Sequence, residues 1–442
     1  MRKQISFEID DVISFKEKLL HYAKNVERFC VLNSNEWQGS NNEMIAAIDS
    51  IEGISPSENS FDALKIFHKE KNDWLFGFLS YDLRNEIENL SSENPDRVGF
   101  PQMHFFRPKY VFTVRRDKVE IGFLPEVCSE KEVENLFREI LSLNPKPGTR
   151  NPELIISARI SKQGYINTIN KIKQHIHRGD IYEMNYCMEF FSGGSGINPA
   201  EVFLKLNEAS QTPFSVFYRM DDKYLLCASP ERFLKKEGRR IISQPIKGTA
   251  RRGKTITEDI ELKELLSQNE KEKSENVMIV DLVRNDLSRT CDNVKVDDLF
   301  GVYTFKQWHQ MISTVSGVMK DEIHFSDVIK NSFPMGSMTG APKVRAMELI
   351  EKYEKTKRGL YSGAVGYITP EANFDFNVVI RSILYNSSSK YLSFQVGSAI
   401  TANSIPENEY SECLLKAKGM FEALGLNSST QKEKEISLHE NA

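Results

Sequence analysis

Apolar residues recur along this chain with two different periods, and the periods predict which stretches coil and which extend. After Ser161, the residues Tyr165, Ile169, Ile172 and Ile176 fall on one helical face, with Ser161 placed as the cap and Gly179 as the stop. The runs FSVFYRM (214–220) and YLLCAS (224–229) predict a hairpin turning at Asp221 and Asp222. Residues 374–385 and 391–399 predict a second strand pair around NSSSK, and ELIISARI (153–160) reads as a further strand. One helix is expected from near Glu264 through residue 287, with Val277, Val280, Val283 and Leu287 turned inward. A last helix, over residues 407–424, gathers Tyr410, Cys413, Leu414, Ala417 and Phe421 on its apolar side.

Hairpins mixed with helices predict an α+β fold and not a doubly wound parallel sheet. Residues 1 to about 145 form a mixed α/β region in which DWLFGFLSYDLRNEIENL (73–90) reads as a strand running into a helix. LNPKPGTRNPE (143–153) concentrates Pro, Gly and Asn and is the linker to a second region, residues 150–426. The polar tail, residues 427–442, is expected to be disordered. The 442 residues carry a formal net charge of −4, which points to neither nucleic acid nor an acidic membrane surface. The sequence has no long uncharged apolar run, and MRKQISFEIDD does not read as a signal peptide, so a cytoplasmic location is expected. The cysteines at 30, 128, 187, 227, 291 and 413 form no CxxC pair; free, mostly buried thiols are expected.

Four constellations could carry chemistry. Lys247 lies in PIKGT among Pro245, Ile246 and Gly248, where desolvation would lower the pKa of its amine and free a lone pair for attack. Glu231, in SPERF at the end of an apolar strand, could be held protonated as a general acid. Glu272 with Glu275, and Glu409 with Glu412, each place two carboxylates on one helical face. Singly, such a pair is an ordinary solvated face; together, the two could hold Mg²⁺. In MGSMTGAPK (335–343) a Gly-rich turn feeds a helix whose face continues through Val344, Met347 and Ile350. That arrangement suits an anion, but the GK[ST] ending of a nucleotide-binding loop is missing. Strict alternation along FNVVIRSIL puts Arg381 on one face with Val379 and Ile383, where a guanidinium needs an anionic partner; Tyr361 and the glycines of YSGAVGY could line the same pocket.

In this order the motifs resemble the chorismate-binding enzymes. The segments that carry the resemblance are GDIYEMN, SPERF, PIKGTARRG, ENVMIVDLVRNDL, SFPMGSMTGAPK, YSGAVGYIT, FNVVIRS and PENEYSECLLKAKG, spanning about 155–420; the N-terminal region corresponds to the family's more variable part. The resemblance implies a four-layer α/β/β/α sandwich built from the whole chain, Mg²⁺ dependence and chorismate as substrate. It makes Glu275 and Glu412 direct or water-mediated Mg²⁺ ligands, with Glu272 and Glu409 beside them. It assigns the substrate's carboxylates to Thr339, Tyr361, Arg381 and the backbone at Gly397, with Thr249 and Gly340 in the same set, and it makes Glu231 the acid that helps expel the 4-hydroxyl.

The family's branches differ at few positions. Members that add water to C2 carry a lysine base within the segment matching GDIYEMN, where this chain has Glu183. Anthranilate synthases have alanine where this chain has Lys247; the aminodeoxychorismate-forming members have lysine there, a nucleophile. By resemblance, then, the chain is expected to make aminodeoxychorismate from chorismate and ammonia. An anthranilate synthase component, or a silent subunit that binds chorismate or a partner, are the alternatives. No GxCxG elbow is present, so ammonia is expected from a separate glutamine amidotransferase subunit. Three features depart from the family pattern: Gln310 stands at the usual histidine position with His309 adjacent, Ala399 replaces a glycine, and no LLES-type segment lies near the N-terminus. The last of these favours the folate branch over a tryptophan-inhibited anthranilate synthase.

Overall fold

The computed structural model describes residues 1–37, 42–145, 154–194, 196–306 and 308–426. Its framework is an antiparallel ladder that branches at one long strand. Met103–Arg115 pairs along one edge with Met44–Ile54. Its other edge carries Leu75–Leu79 and then Lys118–Phe123. Beyond Met44–Ile54 the order is Arg28–Asn33, Phe214–Met220, Lys223–Ser229, Ser382–Asn386, Tyr391–Ile400 and Glu183–Ser192. Beyond Leu75–Leu79 it is Ala364–Ile368, Phe374–Asn377, Arg232–Glu237, Arg240–Gln244 and Trp308–Met319. Strands from before and after the 143–153 segment are therefore interleaved in one ladder.

The period-two pattern sorts side chains between two cores. Phe29 and Val31 enter one core and Cys30 the other; Met44, Ala46 and Ile48 are likewise separated from Ile45 and Ala47. The first core packs a sheet face against helices Val12–Ala23, Glu130–Ser142, Lys162–His177, Pro199–Ser210 and Pro406–Ala423. The second lies between the two arms of the ladder and continues under helices Ser60–Lys71, Glu270–Ser288 and Phe325–Ser332. Helices thus cover the outer faces of two stacked sheets, the α+β sandwich expected. All six cysteines are free and buried. Among the described residues no helix is long and apolar enough to cross a membrane.

Several local expectations change. The strand at 153–160 shrinks to Ser157–Ala158, paired with Phe191 and Phe190. The helix expected from Glu264 is two helices, Ile256–Gln268 and Glu270–Ser288, because Asn269 is extended and its side chain accepts the amides of Lys271 and Glu272 as a cap. Val277, Val344 and Leu414 face outward, whereas Val280, Val283, Leu287, Met347 and Ile350 are buried as expected. The strand expected over 374–385 breaks into Phe374–Asn377 and Ser382–Asn386. Arg381 has a φ of 53°, a left-handed value that ends the alternation, so its side chain leaves the face of Val379 and Ile383. Most of the linker (146–153) and the tail lie outside the described residues.

Candidate active site

One cavity of about 400 Å³ collects Glu231, Lys247, Thr249, Glu272, Glu275, Tyr361, Arg381, Gly397, Glu409 and Glu412. Thr339 and Gly340 stand behind its wall. The Thr339 hydroxyl donates to the carbonyls of Met335 and Gly336, and Gly340 pairs with Met184 as a strand edge; Ser337 and Met338 of the same loop line the cavity instead.

Strands supply the groups suited to bond making. Lys247 projects from Ile246–Arg251, where the following Gly248 has a φ of +95°. A β-carbon at Gly248 would stand 3.2 Å from Met311 Cβ and 3.3 Å from Glu272, so the glycine lets the carboxylate-bearing helix approach the strand. Lys247 Nζ lies 2.6 Å from Glu183 Oε1, with the two side chains 10 % and 2 % exposed. Burial pulls the ammonium pKa down as expected from the sequence, but Glu183, Glu275 and Glu412 outweigh it and the net shift is upward. Burial thus acts on the amine in the expected sense, and the carboxylates around it, Glu183 first, oppose its release as a free amine. Glu231 sits in the turn before Arg232–Glu237 and accepts from the Ser337 hydroxyl at 2.7 Å. Burial lifts its carboxyl to about 7, against the opposing pull of Ser337 and Lys247.

Helices supply the metal candidates. Glu272 and Glu275 come from Glu270–Ser288, and Glu409 and Glu412 from Pro406–Ala423. Burial raises Glu275 to about 7, with Glu183 and Glu272 adding to the shift. Glu272 is raised chiefly by burial and also by Glu412. For Glu412 burial again pushes upward, but Lys416, 2.6 Å away, reverses the direction. No three His, Cys, Asp or Glu residues among those described are gathered as a metal cluster.

The cationic side of the cavity is Arg381 with Lys416. The Arg381 guanidinium donates to the Lys416 carbonyl at 2.9 Å, and no carboxylate among the described residues pairs with it. Lys416 Nζ donates to the Gly397 carbonyl at 2.9 Å. At Gly397 a β-carbon would meet Cys187 Sγ at 2.6 Å and Asn185 Oδ1 at 2.7 Å, so only glycine keeps this strand against its neighbour. Gln310 faces the cavity, while His309 points the other way, to Asp259 at 3.0 Å and Thr304 at 3.0 Å. Strand alternation thus prevents His309 from serving in place of Gln310. Lys416, Ser337 and the Glu183 contact escaped the sequence reading. Lys416 had a legible signal, its position four residues after Glu412 on one helix. The Glu183–Lys247 pair joins strands 64 residues apart in sequence and had none.

The chain matches the family described as chorismate binding enzyme over residues 19–422. It is 30 % identical to aminodeoxychorismate synthase component 1 of Bacillus subtilis, across 97 % of this chain and 98 % of that protein. It is 32 % identical to anthranilate synthase component 1 of Thermus thermophilus, across 79 % of this chain and 77 % of that one. Among solved structures, anthranilate synthase component I from Streptococcus pneumoniae superposes with a TM-score of 0.75 at 26 % identity, covering 89 % of this chain and 92 % of that one. A match over so much of the chain, with the acid, the amine and the cationic wall on one cavity, places this protein in the family of chorismate-binding enzymes.

Proposed function

We propose that the chain is component I of an aminodeoxychorismate synthase, converting chorismate and ammonia to 4-amino-4-deoxychorismate for para-aminobenzoate and folate synthesis. Relatives named for aminodeoxychorismate and for anthranilate synthesis stand at similar identity, so overall likeness does not choose between the two products. The observation that carries the choice is a buried amine, Lys247, on the same cavity as a carboxylic acid poised near neutrality, Glu231.

In this reading Lys247 acts as a neutral amine and bonds to C2 of the ring. The double bonds shift, the C4–O bond breaks, and the hydroxyl departs as water with the Glu231 proton. Ammonia then bonds to C4, the double bonds shift back, the C2–N bond breaks with its electron pair returning to Lys247, and the new C4 ammonium gives one proton back to Glu231. The double displacement places nitrogen at C4; direct attack by ammonia at C2 leads to the anthranilate isomer. Arg381, which has no carboxylate partner of its own among the described residues, fits a substrate carboxylate, with Tyr361, Thr249 and the backbone at Gly397 as neighbours.

Glu272, Glu275, Glu409 and Glu412 are oxygen donors on one cavity, with Glu272 repelled by Glu412 and Glu275 by Glu272, chemistry that suits a hard cation. Mg²⁺ favours one or two carboxylates plus waters and substrate oxygens, so a tight protein cage is not required. We assign Glu275 and Glu412 as its holders; when bound, the ion would neutralise a substrate carboxylate and polarise it. Ammonia would reach the site from a glutamine amidotransferase subunit.

The test is to incubate purified chain with chorismate, Mg²⁺ and either an ammonium salt or glutamine, and to identify the product by mass and fluorescence. Aminodeoxychorismate from ammonium and nothing from glutamine is expected. Anthranilate would overturn the reading in favour of the sister activity. Glutamine-dependent product from the chain alone would remove the need for an amidotransferase subunit.

A further inference from the structure

The resting state of Lys247 poses a problem that the proposed reaction must solve, because an ammonium has no lone pair with which to attack. Five carboxylates act on this one cation: Glu183 from Glu183–Ser192, Glu272 and Glu275 from Glu270–Ser288, Glu412 from Pro406–Ala423, and Glu231 from the turn before Arg232. Glu183 is the one that touches it, at 2.6 Å, with its side chain 2 % exposed. Its other oxygen, Oε2, is buried and has no hydrogen-bond partner. That oxygen therefore presents an acceptor site that no other donor occupies. The backbone beside it is fixed, since Glu183 pairs with Ala341 on one edge of its strand.

From this contact we infer that Glu183 is the proton acceptor that turns Lys247 into a nucleophile, and the store that returns the proton when Lys247 is released. The step balances. One N–H bond of the ammonium breaks and one O–H bond forms on Glu183, leaving a neutral amine beside a neutral acid. After ammonia has bonded to C4 and the C2–N bond has broken, the proton moves back from Glu183 to the amine. No charge is created in the buried site by either transfer, whereas loss of the proton to solvent would strand a carboxylate without its partner. The inference rests on the covalent reading of Lys247, and its test separates the two.

Glu183→Gln keeps the shape and a hydrogen bond to Lys247 but cannot accept a proton. With ammonium salt as nitrogen source, kcat is expected to fall on the order of 10²-fold or more, with the chorismate KM nearly unchanged. The ratio of variant to wild-type kcat should climb with pH, because solvent then removes the lysine proton instead. Glu183→Asp retains an acceptor, so its deficit should be smaller and independent of pH; it also serves if the glutamine variant fails to fold. A glutamine variant with wild-type kcat and pH profile would overturn the inference, as would a deficit in both variants that does not vary with pH. Lys247→Ala is assayed alongside. If it still forms aminodeoxychorismate, the covalent reading itself falls. If it is inactive while Glu183→Gln is normal, only the role of Glu183 is lost.

Discussion

The two walls of the cavity are built on different principles. Lys247 and Glu231 line the cavity from or beside strands of the ladder, with Glu183 in contact with Lys247; each is largely shielded from solvent and has a partner within 2.7 Å. The four metal-candidate glutamates ride on two helices packed over the sheets, where Glu275 and Glu412 pair with the solvent-reaching lysines Lys271 and Lys416, 53 % and 28 % exposed. Groups that exchange protons or form bonds need positions fixed to a fraction of an ångström. Carboxylates that recruit a hydrated cation tolerate looser placement, because waters complete the coordination. The contrast predicts that the strand wall governs turnover and the helix wall governs ion dependence.

The largest departure expected from that contrast is at Glu231. Glu231→Gln should lower kcat by about 10²–10⁴-fold, the usual worth of a positioned acid. The sign of the pH effect follows from burial. A carboxyl raised to about 7 is protonated below that pH and ionised above it, so a rate that needs the acid falls as pH rises through 7. The wild-type profile should show that alkaline limb and the glutamine variant should lack it.

On the helix wall, Glu275→Gln and Glu412→Gln should raise the Mg²⁺ concentration needed for half-maximal activity by roughly tenfold to a hundredfold, comparable to the loss of even an outer partner of a metal site. Melting temperature should barely move, since no core cavity opens. Unchanged Mg²⁺ titrations in both variants would reduce these residues to solvated helix faces.

Behind both walls lies a brace that should affect stability before chemistry. Arg358 is 2 % exposed and pairs with Glu354 at 2.7 Å, while also donating to the carbonyls of Met338 and Asn185. Glu354→Gln leaves that guanidinium uncompensated and should cost about 3–5 kcal/mol in denaturant unfolding. The smallest effect is expected at Val277, on the same helix as Glu275 but 40 % exposed: Val277→Ala should stay within about 0.5 kcal/mol of wild type.

Much of this was legible in the sequence for a physical reason: period and capping are local. The hairpin at Asp221 and the helix capped by Ser161 both follow from neighbours a few residues apart. The features that were not legible depend on distant partners or on a single unusual dihedral. Arg381 broke a strand that every neighbour supported, because its φ of 53° redirects it into the cavity. Asn269 broke a helix by capping the next one. Thr339, in a glycine-rich loop that reads as an anion cradle, satisfies its hydroxyl on its own loop carbonyls. The desolvation of Lys247 can be inferred from apolar neighbours in sequence, whereas the carboxylates that oppose it arrive from three other elements and cannot.

The most direct measurement is product analysis of wild type against Lys247→Ala, with chorismate, Mg²⁺ and excess ammonium salt. If Lys247 is the nucleophile, wild type forms 4-amino-4-deoxychorismate. The alanine variant, still able to hold chorismate through Arg381 and its neighbours, then loses that product, and any residual turnover shifts toward the anthranilate isomer. Aminodeoxychorismate formed by Lys247→Ala at near wild-type rate would contradict covalent catalysis and leave Lys247 as no more than a positive charge beside the substrate.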